Sequence, residues 1–229
     1  QDIAIYVLGI RHVDSVTFAL PIIIVHGLCF IFYLLTHKNG AIGKILAAAL
    51  LFRIALMFCD FFHLFPILNS GSDTESFHHL ARLIYLGGHV DTVSHYPYFL
   101  ASIYRISFAS RLLAQYLNVL FGMGVLIMVY KTLILLQIKN NAIIITTSII
   151  SFLPNAIIFS GILLREAWVE YFVAVSAFYF VKWFVNGKAI DVLICFAALL
   201  AAAYMHAGVL GLALGYMAAF LFYSPATGK

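Results

Sequence analysis

The chain reads as an all-α, polytopic membrane helix bundle, and two observations carry that reading. Apolar residues fill 64% of the 229 positions, against 13 Lys or Arg and 9 Asp or Glu. An ordinary soluble domain is about 45–50% apolar and about 25% charged. The apolar residues also form continuous runs of about twenty, the length that crosses a bilayer, not the alternation of a membrane β-barrel. Mean hydropathy is +1.05. This composition excludes a soluble globular enzyme, a disordered segment and a nucleic-acid-binding domain. The net charge of +4 comes without a basic run that could form a nucleic-acid patch.

Seven spans are expected. The first is Val16–Thr36, which stops at the polar His37-Lys38-Asn39-Gly40. The second, 44–68, holds Arg53, Asp60 and His63. Residues 69–110 are less apolar and form a long loop. Spans three to seven follow at 111–137, 142–164 (broken at Pro154-Asn155), 165–186, 190–206 and 209–223, before a short tail. Together they make one integral-membrane domain, 1–229. Cys29, Cys59 and Cys195 all lie in apolar runs without CxxC spacing, so they read as small buried hydrophobes.

Charge sets the expected orientation, because cytoplasmic loops carry the Lys/Arg excess. With 69–110 outside, all seven Lys fall inside, at 38, 44, 131, 139, 182, 188 and 229. The outer side keeps Arg11, Arg82, Arg105, Arg111 and Arg165. Guanidinium grips phosphate in bidentate fashion, so an outer face served only by Arg suits an anionic ligand. Snorkelling at helix ends is the plain alternative for each Arg.

The outer loop is the informative segment. Phe77, Leu80, Ala81, Ile84 and Tyr85 recur at helical spacing, which predicts an amphipathic helix over 73–86 lying along the membrane. His78, His79 and Arg82 fall on its polar face, and Gly87-Gly88 ends it. A second helix is expected over 96–108, with Pro97 in its first turn. Ser72-x-x-Glu75 fits a capping box, so Glu75 has a structural use. Asp73 is less needed for capping. A carboxylate held there, close to Arg and His, can take a proton from a sugar hydroxyl. Tyr96, Tyr98 and Tyr104 suit an interfacial belt and equally a sugar-stacking surface. The loop's His and acidic residues lack HxxxH or HExxH spacing. No cofactor is therefore expected, a divalent metal being the secondary option.

Further along, Arg165-Glu166 open a helix on the outer side, and His206 closes the sixth span. Glu166 and Glu170 are like charges at i, i+4, unfavourable unless a cation or ligand offsets them. Arg53 and Asp60, seven apart, share a face of the second span; such charges face a bundle interior or a water cavity.

Three short motifs in this order resemble the polysaccharide polymerases of the Wzy/EpsG type. They are Gly71-x-Asp73-x-x-x-Phe77, Phe159-x-x-x-x-x-Arg165-Glu166-Ala, and Ala203-x-x-His206-Ala-Gly. Phe77 stands where that family has Tyr. The His95-Tyr96-Pro97-Tyr98 stretch is similar to a loop of GT-C membrane glycosyltransferases. The resemblance covers about residues 50–215. It implies a multi-pass enzyme, with the bacterial inner membrane as its setting. The donor would be a sugar or oligosaccharide on a polyprenyl phosphate or pyrophosphate. Asp73, or Glu75, would be the base. Arg165, helped by Arg82 or Arg105, would hold the departing phosphate, and His206, Glu166 and His79 would orient the groups. Such enzymes commonly have more than seven spans, which implies further chain beyond Lys229. Two other classes stay open: a lipid-linked sugar flippase or transporter, and a non-catalytic subunit of a membrane complex.

Overall fold

The structure is a computed structural model. It describes residues 2–37, 40–67, 72–92 and 94–222, with backbone alone for 2–15, 37 and 72. Among the described residues ten α-helices follow one another and there is no strand. In order they are α1 (Asp2–His37), α2 (Gly40–Phe61), α3 (Ser72–Tyr85), α4 (Tyr96–Ile106), α5 (Arg111–Leu135), α6 (Asn140–Ser151), α7 (Pro154–Gly161), α8 (Glu166–Asn186), α9 (Ala189–Met205) and α10 (Leu210–Phe222).

The all-α expectation holds, but the seven spans do not all reach spanning length. Among the described residues, four helices are long and apolar enough to cross a membrane: the Val16–Thr36 part of α1, α2, α5 and α8. The pair α6 and α7, bent by 55°, counts as a fifth if taken as one broken span. Pro154 makes that break, since it has no N–H for the preceding turn. The stretches expected as spans six and seven form α9, of 17 residues, and α10, of 13. At about 1.5 Å per residue these reach roughly 26 and 20 Å, against a hydrocarbon core of about 30 Å. The boundary between them lies where expected, at His206, whose extended backbone (φ −151°, ψ 103°) separates the two helices.

Local chemistry fixes most boundaries. Ser110 N-caps α5, its hydroxyl accepting from the Leu113 N–H at 3.3 Å. Gly87, at φ 86°, ends α3 with the Gly88 N–H bonded to the Leu83 carbonyl. Gly187, at φ 69°, closes α8, as left-handed glycines do at helix ends. Gln137 takes the same conformation at the end of α5, at φ 54°.

Two helices fill the long loop, within about two residues of expectation. They are less peripheral than amphipathic surface helices would be. Tyr96, Pro97, Leu100, Ala101 and Tyr104 of α4 are buried. Of these, Tyr96, Leu100 and Tyr104 share a core with Ala81 of α3, Ala114 of α5, Leu163, Trp168 of α8 and Met205 of α9, and Ala101 packs with Ile84 of α3 and Val90. Helices α3 and α4 thus form a cap on one end of the bundle. Phe77 stands edge-on to Tyr96, with ring centres 5.1 Å apart. A second core unites α1, α2 and α5 through Ile23, Leu46, Leu50, Met57, Val119 and Met123. Of the cysteines, only Cys195 is buried; Cys29 is exposed on α1 and Cys59 is half-buried.

Candidate functional site

Helix α5 begins under the cap and carries Arg111, Gln115, Asn118 and Gly122 at i, i+4, i+7 and i+11. That spacing puts all four on one face, and the three polar ones are buried in the bundle. Arg111 donates from Nη2 to Asp60 Oδ2 of α2 at 2.9 Å. Gln115 Nε2 reaches the same oxygen at 2.5 Å. Arg111 also donates from Nη1 to Glu75 Oε1 of α3. One guanidinium therefore fastens the cap to two bundle helices. Asp60 is 2% exposed and Arg111 8%, whereas Glu75 is 52% exposed. The inner pair makes the desolvated contact, and the outer one sits at the rim.

Two turns deeper, Asn118 is fully buried. Its Nδ2 donates to the carbonyls of Ile162 and Leu164, at 2.8 and 2.7 Å. Its Oδ1 accepts from Trp168 Nε1 at 2.8 Å and from the Tyr96 hydroxyl at 3.4 Å. Deeper still, Arg53 of α2 donates from Nη1 to the carbonyls of Ala49 and Ser151, both at 3.1 Å. Ser151 is the last residue of α6, so Arg53 satisfies an orphan carbonyl at the negative end of that half-helix. Arg53 also faces Glu170 electrostatically. It is a cation that offsets Glu170, while Arg165 pairs with Glu166. Arg53 and Asp60 share a helix face but serve different partners.

The residues singled out in the sequence separate into groups. Asp73 is exposed on α3, and among the described residues it has no hydrogen bond or ion pair. It stands about 200° around the helix from Glu75, two residues on. Glu75 is tied to Arg111; the Ser72 side chain of the expected capping box lies outside the described residues. Arg165 pairs with Glu166 at 3.4 Å, and both are about one-third exposed. Arg105 is exposed and reaches the Ile84 carbonyl at 3.4 Å, tying α4 to α3. Arg82 is half-buried and His79 exposed on α3. His206 is exposed at the end of α9. Nearby, His95 stacks on Tyr204 with ring centres 4.7 Å apart, joining the loop before α4 to α9. Asp73 is not bonded to Arg165 or His206. Among the described residues, no three His, Cys, Asp or Glu are grouped to hold a metal.

The phenols of α4 are electrostatically distinct. Burial pushes Tyr96 far above its ordinary value. Burial also raises Tyr104, with Arg111 and Arg82 pulling it partly back. The Tyr104 hydroxyl bonds His78 Nδ1 at 2.8 Å. Away from this polar end, α9 and α10 enclose an apolar groove of about 430 Å³ lined by Val192, Phe196, Met217, Phe220 and Leu221.

Gln115 and Asn118 are site residues that the sequence did not single out, and Arg111, expected on the outer side, is turned into the bundle instead. Their signal was three polar residues at helical spacing in an apolar span. Comparison with protein-family models, with curated proteins and with solved structures finds no match to this chain.

Proposed function

We propose that the chain is a membrane glycosyltransferase of GT-C type that polymerises surface polysaccharide from a polyprenyl-linked donor. The supporting observation is the division of labour between two carboxylates in the first turn of α3. Glu75 is held by Arg111, while Asp73 is exposed and unpartnered among the described residues. The same end of the bundle offers the one-third-exposed Arg165–Glu166 pair. In this reading the cap end faces outside the bacterial inner membrane. Helices α9 and α10 complete seven crossings, α9 at the lower limit of spanning length.

Asp73 takes the proton of the acceptor hydroxyl as its oxygen bonds to the donor's anomeric carbon. The bond from that carbon to the phosphate oxygen breaks, and the phosphate or pyrophosphate leaves with the electron pair. Arg165 compensates the negative charge growing on it. Glu75 positions α3 and stays bound to Arg111.

The test is glycan product formed by three variants at matched membrane expression. Asp73→Asn keeps size and removes basicity, so product should disappear with donor binding retained. Arg165→Lys should impair turnover, since a point charge lacks the fork. Glu75→Gln should be mild. A dead Glu75→Gln beside an active Asp73→Asn moves the base to Glu75. Parent-like activity in all three removes the enzyme reading. The flippase alternative draws on the bent α6–α7 pair, but Arg53 beside that bend is engaged by backbone carbonyls.

A further inference from the structure

The connection between α7 and α8 poses a backbone problem. Residues 162–164 are not helical, yet Ile162, Leu163 and Leu164 are all buried, at 0, 0 and 6% exposure. Irregular backbone inside an apolar bundle persists only where its polar groups find partners. The Leu164 N–H bonds the Ile162 carbonyl within the turn. Each of those two residues' carbonyls accepts a hydrogen from the Asn118 amide.

We infer that Asn118 is the positioning residue that sets the Arg165–Glu166 turn against the cap. Its amide has two donor hydrogens and an acceptor oxygen with two lone pairs, and all four are engaged. The two donors hold the turn from which Arg165 and Glu166 emerge. The oxygen takes Trp168, two residues beyond Glu166, and so fixes the start of α8. It also takes Tyr96, the first residue of α4. One side chain thus joins α4, the α7–α8 turn and α8 to α5. Asn118 is 0% exposed, and its partner Trp168 is covered by Phe121, stacked at 3.7 Å, and Phe99, edge-on at 4.3 Å. Asn118 acts through the turn, not on a substrate.

The inference needs only this geometry, and it deepens the glycosyltransferase proposal because Arg165 is the phosphate-side residue there. Its test reads position without glycan chemistry, so either idea can fail alone. Cys29, Cys59 and Cys195 are replaced, Leu164→Cys is introduced, and the detergent-solubilised full chain is treated with a water-soluble maleimide. With Asn118 intact, the thiol should label slowly. Asn118→Leu matches the size but carries no amide; labelling should rise at least tenfold. Asn118→Gln keeps the amide on one more methylene and should restore protection to within about threefold of the parent. Trp168→Phe removes one donor together with part of the ring and should give an intermediate rise. An Ile106→Cys control, 88% exposed, should label equally in every background. If Asn118→Leu protects Leu164→Cys as well as Asn118 does, packing suffices and the inference is overturned. If Asn118→Leu does not fold, Trp168→Phe decides, and unchanged labelling there overturns it. Failure of Asn118→Gln to rescue also overturns it.

Discussion

The two ends of the bundle are held in different ways. At the cap end, side chains cross between elements: Glu75–Arg111–Asp60–Gln115 and Tyr96–Asn118–Trp168. At the opposite end, backbone turns close the helices at Gln137 and Gly187. One ion pair, Lys182 to Asp191 at 3.0 Å, links α8 to α9 there. Helix α10 beyond has no fully buried residue. The difference teaches where sequence identity matters. The cross-linking positions at the cap end need a particular functional group, while the turn positions at the opposite end need a particular backbone shape. A buried polar bond has no water to replace it, so losing one partner is costly, whereas a turn accepts any residue that can adopt its dihedrals.

The largest effect should come from Arg111→Met. It takes the guanidinium away from the buried Asp60 carboxylate and releases the cap. Breaking a buried pair from one side costs about 3–5 kcal/mol. Thermal unfolding in detergent should show that loss. Asp60→Asn in the same chain should return a good part of it, because the uncompensated charge is then gone. A fully additive double variant would mean that the two residues do not act as a pair.

Gly122→Ala should rank next. A Cβ there would run into the Ser160 Cβ and lie 2.9 Å from its hydroxyl and 3.4 Å from Arg53 Nε. Overpacking of that kind costs about 1–3 kcal/mol. Gly215→Ala is the counterpart in α10, where nothing lies within 4 Å. It should be neutral or stabilising by up to about 1 kcal/mol, through helix propensity alone. Equal effects at the two glycines would erase the contrast between the packed bundle and α10.

Alkali should weaken the cap. Tyr96 and Tyr104 are held neutral by burial, with folded-state values above the unfolded value of about 10. A raised folded value means that the stabilisation is complete below about pH 10. It is lost as pH rises further, because the unfolded chain releases its phenolic protons first. Each tyrosine can contribute a slope of up to about 1.4 kcal/mol per pH unit there. Unfolding temperatures measured at pH 9, 10 and 11 should fall, and Tyr104→Phe should make the fall shallower. An unchanged slope would detach Tyr104 from the linkage.

Much of this architecture is legible in the chain, for reasons that particular residues show. Helices α3 and α4 follow from the period of Phe77, Leu80, Ala81 and Ile84 and from Pro97, because local signals suffice for amphipathic helices. Pro154 marks the broken span for the same reason. The span count is harder to read. The division at His206 is legible, but hydropathy marks the stretches on either side as spans although they form helices of only 17 and 13 residues. The site is harder still. Glu75 fits a capping box by spacing, yet its carboxylate meets Arg111, 36 residues on. Arg53 and Asp60 share a face, yet their partners come from α6 and α5. Long-range pairings depend on which helices neighbour each other, and one sequence does not encode that locally.

The smallest expected effect lies at the opposite end, where backbone shape should matter most. Gln137 closes α5 in the left-handed region at φ 54°. Its N–H bonds the Ile134 carbonyl at 2.9 Å, and the Ile138 N–H bonds the Leu133 carbonyl at 3.1 Å. Gly187 does the same work for α8 with a residue suited to that conformation. A side chain with a Cβ carries a cost of roughly 1–2 kcal/mol there, which glycine removes. Glycine also gives the unfolded chain more freedom, which takes back roughly 0.5–1 kcal/mol. Gln137→Gly should therefore stabilise by about 0.5–1 kcal/mol, and Gly187→Gln should destabilise by a similar amount, both read by thermal unfolding in detergent. If Gln137→Gly lowers stability, the glutamine side chain holds a contact of its own, and this end is governed by side chains as the cap is.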